Sequence, residues 1–463
     1  MNRRTFLKIL GAGAGTMAGT WPLMRALADP PAAQDEFFIF IHASGGWDVM
    51  LWSDPRTGTT EQINPPSQDF VDNSNLRFWP DSAQVMPTVT RGNLTFGAAI
   101  GDLADHYDKL TILNGLAMST VSHPDGIAFS ATGRHLAGGH PAASSIDTMI
   151  ANEFGVTATG SQLFPNVSVS FPSSFVGNNL DPRVSPLRMN GIGVAGMSLS
   201  RSSSYEPAAT RAAVTAALAQ EAHTLAGRSY YPDSYEAMSL QYRSLSDMIS
   251  SQLGSTLFSE TYIKSKYNMS AVAPWPRVAF DYTDPFQGEG AVLAAFAIEA
   301  IRLNKVRCVS FAMGGFDTHN TNYQDHAHNQ QAMFNVIARM VEGLGMVAHP
   351  TLAGHTLLEH THIMVVSDFS RTPLINPSQG RDHQPNNSSL IISPRFKSNF
   401  SFGQTDVGLL PTEIPFTDAV SGTQIAPRQI TPADSLATFL HAFGVSPTTK
   451  YIRDGVPIRE ILA

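Results

Sequence analysis

Apolar and polar positions follow two rhythms along this chain. Nearly continuous apolar runs at residues 35 to 41, Lys109 to Leu113, Lys305 to Met313 and 361 to 367 have the length and branched content of buried strands. Between Phe164 and Phe171 the pattern alternates, with Val167, Val169 and Phe171 against Ser168 and Ser170, which predicts one more strand. Longer stretches carry the helical period: Gly126 to Thr132, Ala142 to Phe154, about 207 to 226, 233 to 256, Gly290 to Leu303, 324 to 344 with Phe334, Ile337, Val341 and Leu344 at core spacing, and 433 to 443 ended by Gly444. Asn114-Gly115 predicts a turn, and residues 54 to 98, rich in Pro, Asn, Ser and Gly, a loop-rich insertion over the strand ends. Residues 172 to 205 read as irregular, and no repeat of fixed period is present.

Helix and strand alternate most regularly in the C-terminal half, which predicts βαβ units and an α/β fold built on a central, mostly parallel sheet flanked by helices. The two helical stretches between about 200 and 265 interrupt that alternation and read as a helical insertion or cap.

The first residues follow another logic. Arg3-Arg4-Thr5-Phe6-Leu7-Lys8 leads into an uncharged Gly/Ala-rich stretch from Ile9 to Met24, then Arg25 and Ala26-Leu27-Ala28, in the order of an export signal and its cleavage site. The twin arginine predicts a Tat signal over residues 1–28, handling by the Tat machinery, and a periplasmic or secreted product with residues 29–463 as a single domain. No other stretch approaches the roughly 20 apolar residues of a membrane span. Removing the signal takes four basic residues away and moves the formal net charge from −8 to −12. An acidic chain lacks the clustered Lys and Arg that phosphate backbones require, which excludes nucleic acid as a partner. The one cysteine, Cys308, lies in an apolar strand, reads as a small buried hydrophobe and leaves no internal disulfide or thiolate metal centre.

The candidate chemistry sits where the strands end. Gly45-Gly46-Trp47-Asp48 follows the first apolar run, Gly314-Gly315-Phe316-Asp317-Thr318-His319 another, and Ser367-Asp368-Phe369-Ser370-Arg371-Thr372-Pro373 a third. Open parallel sheets gather ligand and catalytic groups at such ends. Asp48, Asp317, His319, Asp368 and His383 offer carboxylate oxygen and neutral imidazole, the donors that hold divalent ions such as Zn²⁺, Mn²⁺, Mg²⁺ or Ca²⁺. Ser122, in Ser122-His123-Pro124-Asp125, opens a small-residue helix and reads either as an N-cap or as a nucleophile or ligand helped by the helix N-terminus. Arg371 and Arg134 are candidates to clamp an anionic substrate through a forked guanidinium. His42, at a strand end, is the foremost reserve ligand, ahead of His135 and His140, while His326 and His328 read as solvated on a polar helix start.

These residues carry a resemblance. Gly-Gly-Trp-Asp48, Ser122-His123 through Thr132-Gly133, Gly-Gly-Phe-Asp317-Thr-His319, Ser-Asp368-Phe-Ser-Arg371-Thr-Pro and Gly380-Arg381-Asp382-His383, behind a twin-arginine start, resemble the exported bacterial proteins grouped as domain of unknown function 1501. These in turn look like members of the alkaline phosphatase and sulfatase superfamily. The resemblance implies an alkaline phosphatase-like fold and a metal site of one or two ions, where an activated hydroxyl attacks a phosphate or sulfate ester. Asp48 and Asp368 would hold one ion, and Asp317, His319 and His383 the other. Ser122 would take the nucleophile's place, with His123 beside it as a second catalytic candidate. Ser122, Pro124 and Thr132-Gly133-Arg134 echo the sulfatase nucleophile motif. The chain departs from the family in having Asp368 for Glu, Ser370 for Gly and Arg381 for Thr, and Gly126 stands where sulfatases place an arginine.

The resulting expectation is a metal-dependent hydrolase acting on a small anionic ester. A non-catalytic exported protein that binds metal or a partner through the same fold is the alternative. An oxidoreductase fits poorly: Gly191-Ile192-Gly193-Val194-Ala195-Gly196 matches a dinucleotide loop by letters, yet follows a Pro-containing polar segment instead of a strand.

Overall fold

A computed structural model describes residues 35–55, 88–157, 160–177, 180–194, 208–228, 232–267, 269, 285–320, 322–374, 376–378, 380–446 and 451–463. The export signal over residues 1–28 and most of the loop-rich insertion expected over 54 to 98 lie outside them. Eight strands form the main sheet: β1 (Phe37–Ala43), β2 (Leu110–Ala117), β3 (Phe164–Val169), β4 (Leu187–Met189), β5 (Val306–Met313), β6 (Thr361–Ser367), β7 (Asn386–Ile392) and β8 (Phe400–Phe402). Their spatial order is β8-β2-β7-β6-β1-β5-β3-β4. β1 pairs in parallel with both β5 and β6, while β7 runs antiparallel to β6 and β2 on its two sides. The sheet is therefore large, mixed and mostly parallel, flanked by helices as the alternation predicts.

Both faces of the sheet are covered, which explains why its central strands read as unbroken apolar runs. Phe37, Ile39 and Ile41 of β1 enter one core, and Phe38 and Phe40 enter the other. The helices in chain order are α1 (His123–Thr132), α2 (Ile146–Phe154), α3 (Ala208–Ala226), α4 (Pro232–Ser250), α5 (Glu260–Lys266), α6 (Pro285–Arg302), α7 (Ala327–Met346) and α8 (Pro432–Ala442). α6 and α7 supply the first core, α2 and α8 the second. Each fully buried Phe or Ile there contributes roughly 1.5–3 kcal/mol relative to an exposed one. α3 and α4 form the helix pair expected between 200 and 265, tied by Ser239 Oγ donating to Ala219 O at 2.7 Å and Ser246 Oγ to Ala212 O at 3.0 Å.

Three local expectations are corrected. The chain does not turn at Asn114-Gly115: β2 runs on to Ala117, Gly115 takes φ +66°, and the register slips opposite it between Asn387 and Ser389. The glycine thus serves a bulge within a strand instead of ending it. The helix expected from Ala142 begins at Ile146, after Ser145 has turned its hydroxyl to Asp147. Residues 322–326 form a wider π turn before α7 starts at Ala327.

Parallel pairing carries β1, β5 and β6 to a common edge, at Ala43, Met313 and Ser367. The loops leaving that edge nest closely. Ser44 N donates to Met313 O at 2.8 Å, and Trp47 N to Ser367 Oγ at 2.9 Å. Gly45, at φ +114°, leaves no room for a side chain, since a Cβ would lie 2.5 Å from Asp317 N. The start of α1 presses onto the same edge: a Cβ on Gly126 would meet Asp368 O at 2.4 Å.

Candidate functional site

Asp317 leaves β5 through Gly314-Gly315, where Gly315 at φ +88° turns the chain and Phe316 anchors it, fully buried. The carboxylate is half exposed, and its Oδ1 is the meeting point of the site. His123 Nε2 lies 3.3 Å from it, His319 Nε2 3.2 Å and His383 Nε2 3.6 Å. Arg371 Nη2 donates to the same oxygen at 2.8 Å. Burial pushes the Asp317 pKa up, but the Arg371 guanidinium and the neighbouring imidazoles outweigh it and bring it down to about 2.

Each of the three imidazoles is held from behind by its Nδ1. His383 Nδ1 donates to Val121 O at 2.7 Å, His319 Nδ1 faces Asp382 Oδ1 at 2.9 Å, and His123 Nδ1 faces Asp368 Oδ2 at 2.7 Å. Acceptors at all three Nδ1 positions assign the proton there and aim the Nε2 lone pairs inward. Two of those, on His319 and His383, stand 3.0 Å apart. Facing lone pairs beside a carboxylate repel one another until a proton or a cation comes between them. Burial lowers the His383 pKa and resists the proton. His123 shifts the other way, raised chiefly by its bond to Asp368. Three imidazole nitrogens and a carboxylate oxygen, braced from behind, fit a divalent ion of the Zn²⁺ type. Within this group, ligand atoms of His123, Asp317 and His383 all fall within 4.8 Å of one another.

The expected residues divide into those the fold gathers and those it employs elsewhere. Asp317, His319 and His383 come together, and His123, expected in a catalytic place, joins them. Asp368 stands behind the cluster: only 1% exposed, it orients His123, accepts Gly45 N at 3.2 Å and lies 3.4 Å from His42 Nε2. It holds the His123 ring in the place where it was expected to face an ion itself. Asp48 is placed elsewhere as well. Its carboxylate is fully buried against Arg381, at 2.9 Å, and caps the short turn Val49–Leu51 by accepting Met50 N at 3.0 Å. Burial raises its pKa against the pull of Arg381. Its charge is answered by a guanidinium, so the pairing of Asp48 with Asp368 around an ion has no counterpart among the contacts observed.

Both expected clamps are corrected. The Arg371 guanidinium is fully buried and spent on the chain: Nε donates to Gly46 O at 3.0 Å, Nη1 to Arg381 O at 3.1 Å, and Nη2 to Gly45 O and Asp317. It shapes the loops and holds Asp317 instead of facing a substrate. Arg134 follows Gly133 at the far end of α1, about 15 Å of helix from Ser122. Ser122 itself is exposed at the N-cap position, and its hydroxyl makes no capping bond. Its neighbour Val121 carries the carbonyl that holds His383.

Some contributors were not singled out from sequence. Asp382 steers His319, and its position beside His383 was the available signal. Phe369, fully buried, floors the site, with ring centroids 4.7 Å from His123 and 4.4 Å from His383. His42 is fully buried beside Asp368, its Nε2 3.4 Å from Oδ1. His326, expected in solvent, is fully buried: it accepts Asp48 N at 2.8 Å through Nε2 and contacts Thr318 Oγ1 at 2.7 Å through Nδ1. The π turn before α7 carries it inward.

The chain belongs to the family described as "Protein of unknown function (DUF1501)", which matches residues 36–459. No curated protein matches it. Among solved structures it is similar to Ps i-CgsB in complex with k-i-k-neocarrahexaose, at 10% identity and a TM-score of 0.37 over 91% of this chain and 75% of that one. A Bacteroides thetaiotaomicron protein from a locus for metabolism of multiple glycosaminoglycans gives 9% identity and 0.36, over 91% and 75%. The PsFucS1 sulfatase from Pseudoalteromonas sp. gives 12% identity and 0.35, over 94% and 72%. Among the described residues no helix is long and apolar enough to cross a membrane.

Proposed function

We propose, from this family membership and the convergence around Asp317, that the chain is an exported, metal-dependent hydrolase of phosphate or sulfate esters, of alkaline phosphatase-like architecture. The observation that carries the reading is the inward aim of three Nε2 atoms onto one carboxylate oxygen, with His319 and His383 only 3.0 Å apart. His123, Asp317, His319 and His383 would hold the ion, and a divalent ion there supplies Lewis acidity toward an ester oxygen. The twin-arginine start supports export to the periplasm or beyond.

The chain's own groups take the remaining roles. Asp368 fixes the His123 ring, Asp382 the His319 ring, and Arg371 the Asp317 carboxylate. Ser122 offers an exposed hydroxyl as nucleophile, and the positive end of the α1 dipole receives an anionic substrate. Phe369 walls the cluster from below and keeps water from its underside.

The test is elemental analysis of the purified exported protein beside Asp317→Asn, with turnover of p-nitrophenyl phosphate and p-nitrophenyl sulfate. The expected result is one equivalent of divalent metal lost in the variant together with turnover, and Ser122→Ala keeping its metal while losing turnover. Equal metal content in wild type and Asp317→Asn would overturn the ligand assignment. A second reading, a non-catalytic exported metal-binding protein, is favoured by one observation: all three nitrogens of the buried Arg371 guanidinium donate to the chain, which leaves no forked pair of donors to clamp an ester anion. Metal without turnover, unaffected by Ser122→Ala, would select it.

A further inference from the structure

β6 has a second polar end. Its last residue leads to Asp368, and its first, Thr361, emerges from the short turn Leu358–His360. Seven residues of strand separate the two ends, about 23 Å. At the starting end His355, Glu359 and His360 meet outside the site described above.

His355 Nδ1 lies 2.7 Å from Glu359 Oε2 and 3.2 Å from His360 Nε2. One ligand atom from each residue falls within 4.8 Å of the other two. The fold brings them there by two devices: the chain folds back after His355 so that Glu359, four positions on, meets it, and the tight turn Leu358–His360 into β6 sets His360 beside them. A proton on His355 Nδ1 serves Glu359 and leaves His360 Nε2 sharing the same hydrogen. A cation serves all three.

The surroundings separate this trio from the other histidines nearby. His360 Nδ1 faces Glu36 Oε2 at 3.7 Å with no hydrogen bond of its own, so a carboxylate stands behind the ring as it does behind metal-bound imidazoles. Glu36 is itself fixed by His362 Nε2 at 2.7 Å and by Arg395 at 3.5 Å. His349 stacks edge-on against His360 at 4.9 Å but is engaged on both nitrogens, through Nε2 with Asp35 O and through Nδ1 with Thr351 N and Leu352 N. His362 is likewise occupied, between Glu36 and Ser393.

We propose that His355, Glu359 and His360 form a second divalent-cation site, of the borderline class that takes imidazole and carboxylate, on the opposite edge of the sheet from Asp317. Two nitrogens and one oxygen suit Zn²⁺ with an open position for water. His355 and Glu359 are half exposed, so the ion exchanges with solvent. Bound there, it ties the segment Val347–Glu359, already closed on itself by the Ala348–Thr356 bridge, to the turn that leads into β6.

Equilibrium dialysis with Zn²⁺ alone tests this on the full mature chain, metal-stripped, in the double variant Asp317→Asn/His383→Ala. One equivalent of Zn²⁺ should remain bound in that background. Adding His355→Ala or Glu359→Gln should weaken it by about tenfold or more, with an unchanged far-ultraviolet spectrum because both side chains are at the surface. No bound Zn²⁺ in the double variant, or binding undiminished by His355→Ala, would overturn the site. The proposal stands apart from the hydrolase reading: loss of Zn²⁺ on Asp317→Asn alone reports on one site, loss on His355→Ala on the other.

Discussion

Asp48 and Asp317 close the same four-residue phrase, two glycines, an aromatic and an aspartate, at the ends of neighbouring strands β1 and β5. Their fates are opposite. Trp47 and Phe316 are both fully buried and anchor their loops alike, yet Asp48 is sealed against Arg381 while Asp317 stands half exposed among three imidazoles. One carboxylate has its charge answered inside the protein. The other stands open among imidazole lone pairs, with Arg371 bonded to its Oδ1. A shared motif therefore specifies the loop, and the groups brought in from other strands decide whether its acid is pinned inside the protein or left open among imidazoles.

The largest separation between the two is expected in stability. Asp48→Ala leaves the Arg381 guanidinium buried without its counter-charge, and breaking a buried pair from one side costs about 3–5 kcal/mol. Urea unfolding of metal-free protein measures it. Asp317→Asn in the same assay should cost less than about 1 kcal/mol, because the Asp317 carboxylate is half exposed and solvent screens its pairs. Comparable losses from the two substitutions would erase the distinction between the pinned carboxylate and the open one.

Asp368 sharpens it from the other side. Buried like Asp48, it spends its charge on bracing His123 and accepting Gly45 N. Asp368→Asn should lower Zn²⁺ affinity at the Asp317 cluster by about 10- to 100-fold, the usual cost of losing a group that orients a ligand. Competition with a chromophoric chelator reads this directly, and unchanged affinity would remove Asp368 from the support of the site.

Much of this was legible in the chain, for physical reasons that also mark where legibility stops. Strands buried on both faces announce themselves as apolar runs, so β1, β5 and β6 and the clusters at their ends could be placed. Asp317, His319 and His383 could be expected to converge because short loops at one edge leave such groups few places to go. Residues whose roles depend on distant partners were misjudged. Asp48 meets Arg381 across more than three hundred positions, Arg371 is consumed by carbonyls of Gly45 and Gly46, and no local period reports either. His326 lies on a polar stretch and was expected in water, yet the π turn buries it under Phe316, with ring centroids 5.3 Å apart. Gly115 misled for a different reason: a positive φ serves a turn and a bulge equally well.

A third carboxylate, Glu299 of α6, offers the smallest and most diagnostic contrast. It is fully buried, as Asp48 is, but its partners reach it from the surface: Arg302 donates at 2.7 and 2.8 Å and Lys266 at 2.8 Å, with Tyr267 OH at 3.2 Å. Burial pushes the Glu299 pKa up, and Arg302 and Lys266 together carry it below its ordinary 4.5. The folded state thus releases this proton more readily than the unfolded chain. Its contribution is complete above pH 4.5 and disappears as the pH falls through the folded value, where both states become protonated. Glu299→Gln should cost about 1 kcal/mol at neutral pH, discounted because both cations are about a third exposed. The wild-type and variant stability curves should then converge in acid. Asp48 behaves in the opposite sense, since its raised pKa lets the folded state take up the proton first, so stability gained from that group falls as pH rises through the window between its unfolded and folded values. Denaturation of Glu299→Gln and wild type across acid pH decides the matter, and a gap that stayed constant well below pH 4.5 would show that packing, not charge, holds Glu299 in place.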